Sequence, residues 1–214
     1  MFIHFVTQST IIISEYNIIG MKNPKKWIRV IGFDDGPFKH SEKGETILVG
    51  VIIRAKEYLD GVVSAKIRVD GLDVTEKIIY LVNRPKFASQ IQLIILNSIA
   101  FAGFNLADIK EINKKTGKPV IAVVRKEPDG EKFRNAASKL PDFEKRLKII
   151  DNAGEVKKAD VDGKTLYFQS AGIPDEDAVV MLKRTRKRSA IPEPVRMAHI
   201  IASGIIDGVS RGRA

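Results

Sequence analysis

The sequence contains no cysteine. That excludes disulfides, thiolate zinc sites and a cysteine nucleophile, and it fits a reducing cytosol. Histidine is scarce: His4, His40 and His199 are the whole supply. No window is apolar enough to span a bilayer, so a membrane partner is not expected. The nearest candidate, residues 1–20, is interrupted by His4, Gln8, Glu15 and Asn17. It has no Lys or Arg, so it lacks the basic start of a secretory signal. At Met21 the chain opens again with "MKNPKKWIRVIGFDDG", which reads like a natural start. Residues 1–20 are therefore expected to be a dispensable extension or a start placed too far upstream, and 21–214 a single domain. An added edge strand through "TIIIS" is the alternative. Neither a G-x-S-x-G elbow nor a glycine-rich P-loop or dinucleotide pattern occurs, so serine-hydrolase and nucleotide-fold readings have no support.

Positive charge is what the chain has in excess. Its 36 Lys and Arg outweigh 26 Asp and Glu, a net charge of +10, which favours a polyanionic partner, nucleic acid first. The 214 residues suit one domain with a proper core.

Three β-rich stretches come first: "WIRVIGF" (27–33), "TILVGVIIR" (46–54) and "GVVSAKIRV" (61–69). Short polar links between them predict an antiparallel meander. The period then changes. Residues 73–84 have helical spacing behind Asp73 as an N-cap. "IQLIIL" (91–96) is a continuous apolar run, as a buried parallel strand would be. Residues 105–117 predict a helix closed by Gly117, and 118–124 another buried strand. The remainder reads as mostly helical, with one strand at 164–170. The order β-β-β-α-β-α-β predicts an α/β fold: a mixed sheet with helices on its faces, whose sites lie at the carboxyl ends of the parallel strands.

Polar residues fall at those ends. Asp34 and Asp35 close the first strand and could hold a hard cation, although Asp-Asp-Gly-Pro is also ordinary turn chemistry. Asn97 closes the 91–96 run and offers a carbonyl oxygen without charge. Arg125 closes the 118–124 strand and could neutralise a phosphate. Asp73 begins the helix alongside, where capping explains it equally well. Asp108 is expected to be solvated or structural. Acids at strand ends in a basic chain suit metal-assisted attack on a phosphodiester. "KRTRKR" (183–188) and "SRGR" (210–213) supply Arg184, Arg186, Lys187, Arg188, Arg211 and Arg213 for the phosphate backbone. Between them lies "IPEPVRMAHIIASG". Pro194 is pre-set for a first helical turn, Glu193 suits a helix N-terminus, and Arg196 and His199 share a face. A capped amphipathic helix is the plain alternative there.

Taken together, "IGFDDGPF", "VDGLDVTEKI", "NSIAFAGFN", "PVIAVVRK", "IPEPVRMAHIIASG" and "SRGR", in that order, closely resemble the archaeal endonuclease dU family, over about residues 21–213. Through that family the chain is similar to endonuclease V. The resemblance implies an RNase H-like fold and Mg²⁺-dependent cleavage of DNA at or near a deaminated base, deoxyuridine first; a nitrogen ligand at His199 would shift the preference toward Mn²⁺. Asp34 matches the first-strand catalytic aspartate. Pro192, Glu193, Pro194 and Arg196 match a Pro-Glu-Pro-x-Arg run at the start of a late helix. Asp73 stands where endonuclease V has a glutamate and Arg125 where it has a lysine. Asn97 and His199 each replace an aspartate. The implied catalytic set is Asp34, Asp73, Arg125 and His199. The implied metal set is Asp34, Asp35, Asp73 and Asn97, with Arg196 joining the nucleic-acid contacts. The lesion-reading Pro-Tyr-Ile-Pro wedge is absent; "AKIRVDG" occupies its place. Two alternatives stay open: a nucleic-acid-binding protein of the same fold with little or no nuclease activity, which Asn97 favours, and a metal-dependent phosphohydrolase or small-molecule binder, which the net charge disfavours.

Overall fold

The computed structural model describes residues 28–39, 44–54, 57–86 and 88–210. The N-terminal stretch, His4, His40, Arg211 and Arg213 lie outside them. Seven strands form one sheet in the order β3-β2-β1-β4-β7-β9-β8. They are β1 (Arg29–Asp35), β2 (Glu45–Arg54), β3 (Tyr58–Arg68), β4 (Ile91–Asn97), β7 (Val120–Val124), β8 (Lys157–Asp160) and β9 (Thr165–Ala171). The first three make the expected antiparallel meander. β1, β4 and β7 run parallel, and β9 and β8 return antiparallel at the far edge. A short hairpin, β5 (Ala100–Phe101) with β6 (Asn105–Leu106), follows β4.

The helices are α1 (Val74–Asn83), α2 (Ile109–Thr116), α3 (Gly130–Ala137), α4 (Phe143–Ala153), α5 (Asp175–Thr185) and α6 (Glu193–Asp207). Among the described residues, none is long and apolar enough to cross a membrane. Successive strand residues point to opposite faces, so the central strands feed two cores. Ile31, Phe33, Leu48, Ile94 and Leu96 pack with Val74 and Ile78 of α1 and Ile109 and Ile112 of α2. Val30, Leu93, Ile95, Ile121 and Val123 pack with Met181 and Leu182 of α5 and Val195 of α6. Further along α6, Ala198 and Ala202 sit against Val49, Val51 and Ile53 of β2.

Gly32 sets how close α6 comes. A Cβ there would lie 2.5 Å from the Val195 nitrogen and 2.6 Å from the Pro194 carbonyl carbon. The Pro-Glu-Pro turn thus rests directly on the β1 backbone, two residues before Asp34 and on the same face.

Two segments differ from the sequence expectation. The helix predicted over 105–117 begins only at Ile109, because Asn105–Leu106 pairs back on Ala100–Phe101. Asp108 is its cap, accepting from the Lys110 and Glu111 N–H groups, so its role is structural and not solvated. β8 was not expected: "KKAD" carries three charges in four residues and no apolar alternation. It is an edge strand, where charge is the usual composition.

Candidate active site

The parallel register places Leu96 beside Phe33. One residue further on, the carboxyl ends of β4 and β1 bring Asn97 to Asp34. Asn97 Nδ2 donates to Asp34 Oδ1 at 2.9 Å. From above, α6 delivers His199, whose Nδ1 lies 2.9 Å from Asp34 Oδ2. With its proton on Nδ1 the ring donates to that oxygen. Asp34 is only 3% exposed, so this amide–carboxylate–imidazole line is nearly buried. Sequence reasoning named all three residues, which are 63 and 165 positions apart along the chain.

Asp35 points to the opposite face, as strand alternation requires. Its Oδ2 accepts the Ala102 N–H at 2.9 Å. Burial, reinforced by the Asp34 charge, raises its pKa to about 7, against the pull of the Ala102 N–H and of His199. Two carboxylates therefore compete for solvation at one strand end, a strain that a cation there would relieve.

Asp73 belongs to a different network. Its carboxylate makes no cap bond to α1. Instead it accepts from Asn105 Nδ2 at 2.6 Å and from the Arg68 N–H at 3.3 Å. Asn105 does the capping: its Oδ1 accepts the Val74 N–H at 3.0 Å. The expectation that Asp73 caps α1 is thus replaced by a cap supplied from the β5–β6 hairpin. Sequence reading missed Asn105 because its partners lie more than 30 positions away.

Among the described residues no group of three or more His, Asp or Glu side chains is arranged to hold a metal ion. Asp34, Asp35, Asp73 and Asn97 are therefore not one ready-made cage. Mg²⁺ seldom needs one, since it commonly takes one or two carboxylates and completes its shell with water and substrate phosphate. The Asp34 carboxylate, with the Asn97 amide beside it, fits that smaller requirement; Asp35, on the opposite face, does not share the ion with it but adds negative charge at the same strand end.

The cations divide into two groups. Arg196 is engaged by Glu193 in a bidentate pair, at 2.9 and 2.6 Å, that raises its pKa. Arg186 reaches Asp162 at 2.8 Å and the Ser189 carbonyl at 3.0 Å. Arg184, Lys187 and Arg188 are exposed. Arg125 directly follows β7 and is half-buried. Beyond Asn97 opens a cavity of about 260 Å³, lined by Ser98, Val124, Phe133, Tyr167, Phe168 and Gln169 among others.

The family model for endonuclease dU matches residues 26–206. The chain belongs to the endonuclease dU family. A relative described as a UPF0215 protein, from Methanothermobacter thermautotrophicus, is 43% identical over 191 residues, 89% of this chain and 93% of the relative. A solved protein of unknown function from Archaeoglobus fulgidus is 36% identical, with a TM-score of 0.76 over 84% of this chain and 98% of that one. Ciona intestinalis endonuclease V, solved with a 24mer DNA containing an inosine followed by a ribo-adenosine, is 16% identical and covers 89% of this chain and 90% of that one, with a TM-score of 0.59. This endonuclease dU family member therefore has the RNase H-like fold of endonuclease V. Its Asp34 line sits where such sheets carry their sites, at the carboxyl ends of parallel strands.

Proposed function

We propose that the protein is a metal-dependent endodeoxyribonuclease that cuts DNA at or near deaminated bases, deoxyuridine first. The observation that carries this reading is the Asn97–Asp34–His199 line at the sheet end, with Asp35 beside it. Asp34 would hold Mg²⁺ or Mn²⁺, which would supply Lewis acidity and an activated water, while Asp35 adds negative charge from the other face of the same strand end. Asn97 orients Asp34 through Oδ1. Asp34 in turn orients the His199 ring through Nδ1, so that Nε2 can hold or move a proton in the cleft. Arg125 offsets phosphate charge at the end of β7. Arg184, Lys187 and Arg188 hold the backbone of the polymer. Asp73 keeps Asn105 on the start of α1.

A second reading is a DNA-binding protein of this fold without efficient chemistry. It draws on the fact that both oxygens of Asp34 already have partners. One experiment separates the two. Labelled oligonucleotides containing uracil, hypoxanthine, xanthine or no lesion, in DNA and RNA, are incubated with Mg²⁺, Mn²⁺ or EDTA, and binding is measured in parallel. Cleavage of uracil-containing DNA that needs the metal, and is lost in Asp34→Asn, is expected. Binding without cleavage under every metal condition selects the second reading.

A further inference from the structure

Arg146 is the one fully buried cation among the described residues, at 2% exposure. From α4 its Nε donates to the Pro141 carbonyl at 3.1 Å. The other guanidinium nitrogens donate to the carbonyls of Gly71 at 3.0 Å, Asp70 at 2.6 Å and Phe104. All four acceptors are backbone carbonyls. Burying a guanidinium against neutral acceptors is costly, and an apolar side chain often serves a core better. What these bonds accomplish is a join between two loops, residues 69–73 after β3 and residues 98–104 after β4.

Those loops hold three of the five non-glycine residues with positive φ among the described residues: Asp70 at 53°, Ser98 at 78° and Ala102 at 42°. Such backbone persists only where its surroundings over-determine it. Here they do. The Asp70 N–H donates to the Ala102 carbonyl at 2.8 Å, and the Asp70 carboxylate accepts the Phe104 N–H at 2.8 Å. Ala102 then donates its own N–H to Asp35. A continuous line of bonds runs from Arg146 through Asp70 and Ala102 to the candidate site.

We propose that Arg146 is a positioning residue for the active site: it clamps the Asp70–Gly71 and Ala102–Phe104 loops together and so fixes the Ala102 N–H on the Asp35 carboxylate. The kinetic consequence rests on the nuclease reading above; the clamp itself does not. Lysine is a poor substitute, because a compact ammonium has three donors and no planar fork to span two loops.

Arg146→Met and Arg146→Lys test this, with amide hydrogen exchange and with kcat and KM on uracil-containing DNA. In Arg146→Met the Ala102 and Phe104 amides are expected to exchange faster while those of β1 and α6 keep their protection. The same variant should lose about 100-fold in kcat with little change in KM, the order of loss that follows small misplacements near reacting groups. Arg146→Lys should fall between. Wild-type exchange at Ala102 and Phe104 in folded variants would overturn the proposal, as would a kcat loss that only tracks the unfolded fraction. If neither variant folds, native-state exchange of the wild-type chain decides. Ala102 and Phe104 must open together with α4; opening while α4 stays protected sinks the clamp. If the wild-type chain cuts no substrate, the nuclease reading fails and the exchange result alone judges Arg146.

Discussion

Asp34 and Asp35 are neighbours in the chain with opposite surroundings. Asp34 has an amide and an imidazole on its two oxygens; Asp35 has backbone N–H groups, that of Ala102 among them, and the charge of Asp34 beside it. Asp35 should therefore cost stability when ionised. Its folded pKa of about 7 lies above the unfolded carboxyl value, so stability is intact below about pH 4 and is lost as pH rises toward 7. Asp35→Asn, which keeps an acceptor for Ala102, should raise Tm by a few degrees at pH 8 in EDTA. The gain should fade toward pH 4. A lower Tm at pH 8 would show that the Asp35 charge is already neutralised. At this scale Asp34 and Asn97 were legible as strand ends, whereas His199 joined them only through the family resemblance. Asn105 and Arg146 were not legible, since the carbonyls and amides they serve belong to distant loops and leave no mark in local sequence.

At the scale of elements, packing of α6 on β1 decides whether His199 reaches Asp34. Gly32→Ala puts a methyl where the Pro194–Val195 backbone lies, and neither backbone nor proline can yield cheaply. Overpacking of this kind costs about 1–3 kcal/mol, and the helix should lift from β1. Cleavage should fall more than stability does, which activity assays on protein well below its Tm can separate. A second element-scale feature lies at the opposite end of the sheet. Asp60 on β3 accepts from Arg29 of β1 at 2.5 Å and from Arg54 of β2 at 3.2 Å. Burial pushes its pKa up, but the hydrogen bonds and charges of Arg29 and Arg54 outweigh that and hold it below the usual carboxylate value. A depressed folded pKa stabilises above the unfolded value and the effect is lost as pH falls through the folded one. Asp60→Asn should therefore cost about 1 kcal/mol at pH 7 in urea melts. The difference should shrink as pH falls through the folded carboxyl's lowered value, where wild type loses the same charge. The meander and the parallel strands were legible from alternation and apolar runs. β8 and the β5–β6 hairpin were not: one is charged at a sheet edge, and the other is too short to show a period.

Across the whole molecule, a net charge of +10 favours a polyanionic partner. "KRTRKR" was expected to act as one basic run, but the fold sorts it. Arg186 is spent on Asp162 and Ser189, whereas Arg184, Lys187 and Arg188 reach solvent. Replacing those three by Ala should weaken binding to every DNA sequence alike, since phosphate contacts carry no base information. Each phosphate neutralised on duplex DNA contributes about −0.9 to the slope of log K against log salt, so the slope should become shallower by up to about 2.7. Arg186→Ala should instead leave the slope nearly unchanged and lower Tm, because its charge already faces a carboxylate. Fluorescence anisotropy on undamaged duplex between 50 and 200 mM salt, the range over which such contacts dominate, measures both. Should Arg186→Ala flatten the slope as strongly as the triple variant, the Asp162 pair does not persist on DNA, and the basic run acts as the undivided patch its sequence suggests.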